Sequence, residues 1–179
     1  MATTTKTKAK PRKRTGVWVQ RDDRLFTLEV QLLDGPMTEE FCKANKKVSR
    51  TIELRGDDTL DMLHEAIFTA FDRDDPHMYE FQVGGKEPMD RDARRYVLPM
   101  AMEDDFGDTV IAGNVETTTI GSLGLKEKDT FLYWFDFGDD WWHRIKIASI
   151  AEKAPEGKYP KITGRIGASP PQYPDWDDE

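Results

Sequence analysis

At 179 residues, 37% of them hydrophobic and 34% charged, the chain has the size of one domain around a single core. No apolar run reaches the length of a membrane span or of a signal-peptide core, so no membrane contact is expected and the cytoplasm is the expected compartment. The formal net charge of −8 is unevenly spread: residues 1–16 carry six basic side chains and no acid, which leaves −14 on the remainder and disfavours a conventional nucleic-acid-binding body.

Residues 1–20 read as a basic disordered tail, the first sixteen of them polar and almost free of large apolar groups. Its expected role is solubilising, or a nonspecific contact with nucleic acid through phosphate attraction. Residues 21–171 are expected to form one α+β domain, and residues 172–179 an acidic C-terminal tail. In "RLFTLEVQLLD", Phe26, Leu28, Val30 and Leu32 alternate with polar residues, the period of a half-buried strand. "GPMTEEFCKANKK" is a polar connection with room for a short helical turn, and its Cys42 reads as an ordinary thiol. As the only cysteine, Cys42 rules out an internal disulfide and a cysteine-cluster metal site. "VSRTIELRG" alternates again and is expected to pair with the first strand.

The period then changes. Leu60, Leu63, Ile67, Ala70 and Phe71 recur three or four apart, with Asp58 or Thr59 placed to cap the helix. "HMYEFQVGG" returns to strand, with Tyr79, Phe81 and Val83 on one face. From Lys86 to Glu116 a charged excursion is expected, in which "RRYVLPM" is the only strand-like piece. A turn-rich connector then feeds "TFLYWFDF", a turn and "WWHRIKIASI". The pattern predicts a β-grasp-like mixed sheet covered by one principal helix.

The turn between the last two strands concentrates polar groups. A three-residue loop of Gly138, Asp139 and Asp140 sets Phe137 opposite Trp141, Phe135 opposite His143 and Tyr133 opposite Ile145. Trp134 then stacks with Arg144, Asp136 lies beside Trp142, and Asp136 and His143 point to opposite faces. Trp134, Asp136, Asp139, Asp140 and Trp142 form a candidate interaction rim, because tryptophans beside charge are effective contact residues. His64, His77 and His143, all the histidines of the chain, share the parity of the helix–sheet interface and are candidate ligands for a divalent metal such as zinc or iron.

"TLDMLHEAIFTAFDRDDPHMYEFQVGG", "LGLKEKDTFLYWFDFGDDWWHRIKI" and "GKYPKITGRIGASPP", in this order, resemble the plasmid Ri ORF-three-like family of prokaryotes. Leu63-His64-Glu65, His77 with Phe81, Asp136 to Trp141 with His143, and Arg50 fall on its pattern. The resemblance implies a β-grasp-like domain without an established activity, and an association with plasmids or mobile elements. Ser169 stands where many relatives carry a cysteine, so no cysteine-supported role is implied. Two functional readings follow. The first is a binding or interaction protein with a protein partner at the rim. The second is a metal-dependent hydrolase using His64, His77 and His143, with Asp139 or Asp140 as base or further ligand.

Overall fold

The computed structural model describes residues 21–102 and 111–175. The basic tail expected over 1–20, part of the excursion (103–110) and the end of the acidic tail (176–179) lie outside them. The chain is an α+β fold with one large sheet and few helices. Its strands are β1 (Leu25–Asp34), β2 (Ser49–Arg55), β3 (Tyr79–Val83), β4 (Arg94–Val97), β5 (Ile111–Asn114), β6 (Thr130–Phe135), β7 (Trp141–Ala151) and β8 (Lys161–Ile166); its α-helices are α1 (Glu39–Ala44) and α2 (Leu60–Ala70). The eight strands lie in the order β5-β4-β3-β6-β7-β1-β2-β8. Neighbours are antiparallel except β4 and β5, which are parallel.

Strand alternation puts every second side chain of β1 into the core: Phe26, Leu28, Val30 and Leu32 are buried. The same face carries Ile52 and Leu54 of β2, Tyr79, Phe81 and Val83 of β3, Phe131, Tyr133 and Phe135 of β6, and Trp141, Ile145 and Ile147 of β7. Helix α2 covers it with Leu60, Leu63, His64, Ile67 and Ala70. Thr59, not Asp58, caps α2, its side chain accepting from Met62 N; Asp58 accepts from Arg55 N instead.

Strand β3 is buried on both faces. On the side away from α2, Glu80 (0% exposed) accepts from Arg95 Nε at 2.9 Å and from Gln82 Nε2 at 2.6 Å, while Met89 N donates to Gln82 Oε1 at 3.0 Å. A fully buried carboxylate is tolerated because both an arginine and an amide satisfy it.

The expected hairpin register is corrected. Phe135 lies opposite Trp141, Tyr133 opposite His143, Phe131 opposite Ile145 and Trp134 opposite Trp142. The loop is therefore Asp136 to Asp140, two residues longer than the three-residue turn. Asp136 starts it at φ 56° and Asp140 ends it at φ 54°, a region that aspartate tolerates through local hydrogen bonds. A two-residue slip keeps each side chain on its face and changes only its partner.

Candidate functional site

The end of the sheet formed by the β6–β7 turn collects polar and aromatic groups from three segments: the turn, the loop after α2, and the chain beyond β8. Helix α2 ends in a reverse turn in which Asp72, at φ 56°, donates N–H to Thr69 O at 3.2 Å and Arg73 N–H reaches Phe68 O at 3.0 Å. That turn brings the Arg73 side chain in over the sheet, with Cζ 3.6 Å from the centroid of the Trp141 ring. Trp141 itself is 0% exposed and lies flat against Gly35, where an added Cβ would fall 2.1 Å from Trp141 Cε3.

In the turn, Asp136 is buried, its Oδ1 accepts from Gly138 N at 3.1 Å and Asp139 N at 3.4 Å, and its backbone N–H donates to Met78 O. Asp136 Oδ2 lies 3.5 Å from His77 Nε2. It serves the turn and the neighbouring loop and does not lie beside Trp142, as the expected register required. Trp134 stacks on Trp142 (centroids 4.9 Å, 8° between planes) and on Phe137 (4.1 Å), not on Arg144. Trp134 Nε1 donates to Asp140 Oδ1 at 2.9 Å. Trp142 is only 8% exposed, so within the rim it supports Trp134 more than it offers contact area. Asp140 is exposed, and Trp134 and Asp139 are half-buried.

The segment after β8 closes over the loop that follows α2. Gln172 Oε1 accepts from Asp74 N and Asp75 N, both at 3.2 Å, and its Nε2 donates to Asp75 O at 2.8 Å. The Tyr173 hydroxyl donates to Asp75 Oδ2 at 2.6 Å, which leaves its oxygen to accept from His77 Nε2 at 2.8 Å. The hydrogen bond to Asp75 pushes the Tyr173 phenol up to about 12. Ser169 Oγ bonds Asp72 Oδ2 and receives Arg50 Nη2, and the bond from Ser169 holds the Asp72 carboxyl below its ordinary value. Residues 172–175, expected in the tail, thus include ordered contacts with the body.

The histidines do not converge. His64 is 5% exposed and stacks flat on Tyr79 (centroids 3.6 Å); its Nδ1 lies 2.7 Å from the Tyr133 hydroxyl. With Nε2 carrying the proton toward Glu65, Nδ1 accepts from Tyr133, so the ring is satisfied when neutral. Burial pushes it down to about 4. His143 is 1% exposed between Phe71 (4.9 Å) and Tyr133 (5.3 Å), and burial, reinforced by the Arg73 charge, pushes it down to about 3. His77 is exposed at the rim beside Phe135 and Tyr173. The expected His64, His77 and His143 ligand set is corrected accordingly: an aromatic ring separates His64 from His143, and His77 lies outside the interface. Among the described residues no three His, Cys, Asp or Glu side chains are grouped to hold a metal ion.

The model of a family described as "Plasmid pRiA4b ORF-3-like protein" matches residues 40–173, the span that holds α2, the β6–β7 turn and the closing segment. The chain belongs to the pRiA4b ORF-3-like family. Among solved structures, this pRiA4b ORF-3-like chain is similar to MM3350 from Methanosarcina mazei Go1, a protein of unknown function, at a TM-score of 0.58 and 21% identity over 82% of this chain and 71% of that one. That likeness supports the fold. No curated protein matches.

The chemistry-bearing residue that sequence reasoning missed is Arg73. In "FDRDDPH" it reads as one charge among several; only the turn at Asp72 shows that it enters the core. No helix among the described residues is long and apolar enough to cross a membrane.

Proposed function

We propose that the chain is a noncatalytic interaction protein whose acidic, aromatic end captures a basic polypeptide segment. The supporting observation is a group of carboxylates with few direct ion pairs: no Lys, Arg or His among the described residues makes an ion pair with Asp74, Asp139 or Asp140, and Asp72 and Asp75 have direct ion pairs only with Arg165 and His77, while Arg73 and Arg50 act on Asp139 and Asp72 from a distance. Half-buried Trp134 and Phe137 and exposed Tyr173 stand around the same turn. Such a surface attracts cations over a Debye length, and the Trp134 edge with the Phe137 and Tyr173 rings offers aromatic contact for guanidinium or ammonium groups. The rim of this proposal comprises Trp134, Asp139 and Asp140, with Asp136 and Trp142 as its supports. The β-grasp-like description belongs to the same reading, supported by the β1–β2 hairpin, α2 and the β6–β7 hairpin laid beside β1. So does a cytoplasmic site of action, with which the free Cys42 is consistent.

The test is fluorescence anisotropy with a labelled peptide of alternating lysine and arginine, on the full chain and on Asp74→Asn/Asp139→Asn/Asp140→Asn. Asparagine keeps the turn geometry and the acceptor for Trp134, so the variant should stay folded. Binding should weaken with salt and drop at least tenfold in the triple variant. Equal binding by both chains would overturn the reading.

A further inference from the structure

Three neighbouring side chains of the core carry polar atoms that no other described group satisfies. Arg73 is 7% exposed, yet Nη1 and Nη2 are buried without a hydrogen-bond partner; the same holds for Trp141 Nε1, and the ring nitrogens of His143 have only loose contacts with the backbone of Tyr133 and Trp141. They share one place. Trp141 and His143 are alternate residues of β7 on the α2 face, and Arg73 lies on the Trp141 ring with its charge acting on His143.

No local acceptor bonds these donors. The Tyr133 hydroxyl is turned to His64, Asp136 Oδ1 to the turn amides and Oδ2 toward His77, and Asp75 to Tyr173. The inventory is one-sided, because guanidinium and indole nitrogens only donate and neutral imidazole supplies one donor and one acceptor. Stacking on Trp141 compensates part of the guanidinium charge, but it satisfies none of the in-plane N–H groups. Leaving such groups bare in a core is costly, and the Asp136 and Asp139 carboxylates act on the Arg73 charge only through space, bonding neither Nη1 nor Nη2. The missing complement is a compact group that only accepts and carries negative charge.

We propose that Arg73, Trp141 and His143 form a closed binding site for a small carboxylate, its two oxygens facing the parallel N–H groups of Nη1 and Nη2. Carboxylate geometry matches the planar guanidinium fork. The closure is the segment after β8, because Gln172 and Tyr173 pin the loop that carries Arg73. The ring of aspartates outside this loop repels free anions, so the closed site should fill slowly and favour a carboxylate that also bears a cation, such as an amino acid zwitterion, over a bare one. This site is separate from the peptide-binding reading: it uses buried donors, and that reading uses exposed acceptors.

The experiment follows the indole N–H resonance of Trp141 in the 15N-labelled full chain, assigned by Trp141→Phe, during titration with acetate, glycine or inorganic phosphate at constant ionic strength. Acetate and glycine should shift that resonance saturably and raise the melting temperature by several degrees, glycine at lower concentration; phosphate should not. Arg73→Met keeps the packing on Trp141 without the N–H groups, so it should fold and lose both responses. In Gln172→Ala the shift should develop faster at the same end point. A Trp141 resonance indifferent to acetate and glycine overturns the proposal in the wild-type chain alone, and so does a response that Arg73→Met retains. A response to phosphate equal to that to acetate overturns the carboxylate assignment.

Discussion

His64 and His143 show how a single buried ring ties stability to pH. Both are held neutral by burial, at about 4 and about 3, against an ordinary value near 6.5 in the unfolded chain. Between these values the unfolded chain binds more protons, so stability rises with pH. The contribution is complete above about pH 6.5 and falls as pH drops, ending near 4 for His64 and near 3 for His143. With each proton worth about 1.4 kcal/mol per pH unit, urea midpoints should be level from pH 8 to 7 and fall steeply from 6 to 4.5. His143→Leu should remove about half of that slope, because it deletes one of the two rings that burial holds neutral. A stability profile flat down to pH 4.5 would contradict the buried neutral rings. Gly35 gives a second single-residue test: its alanine variant must displace Trp141 and should lose about 1–3 kcal/mol. Gly138→Ala, whose added Cβ meets only Asp136 Oδ1 at 3.4 Å, should change stability by less than about 0.5 kcal/mol. At this scale the sequence showed which face His64 and His143 take, since parity follows from periodicity. It did not show that His77 stays outside or that Arg73 goes in, because both depend on loops whose course no period encodes.

The register of β7 is held from two sides, and this determines what the β6–β7 turn can tolerate. Lys146 pairs with Thr130 of β6 and with Glu29 of β1; Ile145 pairs with Phe131 and with Val30. One glycine inserted between Gly138 and Asp139 therefore cannot drag β7 past β6 without breaking its ladder with β1. The five-residue loop should absorb the insertion, at about the 1–2 kcal/mol expected for losing local turn bonds such as Asp139 N to Asp136 O. The same insertion between Arg144 and Ile145 would reverse the faces of the rest of the strand and should unfold the domain. Far-ultraviolet circular dichroism and urea unfolding of the two insertion variants separate these outcomes, and collapse of the first would mean that the turn alone sets the register. Sequence reasoning found β1, β2, α2, β3, β6 and β7 because each presents a clear row of buried apolar residues. It missed β5 and β8, the two edges of the sheet. In β8 only alternate residues are even half-buried and Gly164 interrupts the row, and β5 is four residues with one glycine, so neither carries a strong period.

For the molecule as a whole the decisive asymmetry is electrostatic: six basic residues within 1–16 against a remainder at −14, for the net −8 of the chain. If the acidic end around Asp74, Asp139 and Asp140 captures basic segments, the chain's own first sixteen residues are a competing ligand, present at the high local concentration that covalent linkage gives. Deleting residues 1–16 should then strengthen binding of an added lysine–arginine peptide severalfold at low salt, and the gain should vanish near 1 M salt, where the Debye length falls to about 3 Å. The Asp74→Asn/Asp139→Asn/Asp140→Asn chain should show no gain on the same deletion, since the site for which the tail competes is gone. Polynucleotide gives the opposite sign: at low salt it should bind the intact chain better than the shortened one, because the tail supplies the cations and the body repels phosphate. Anisotropy titrations of both probes against the two chain lengths measure all of this directly. A deletion that leaves peptide affinity unchanged at every salt concentration would separate the tail from the acidic end and remove self-competition from the functional account.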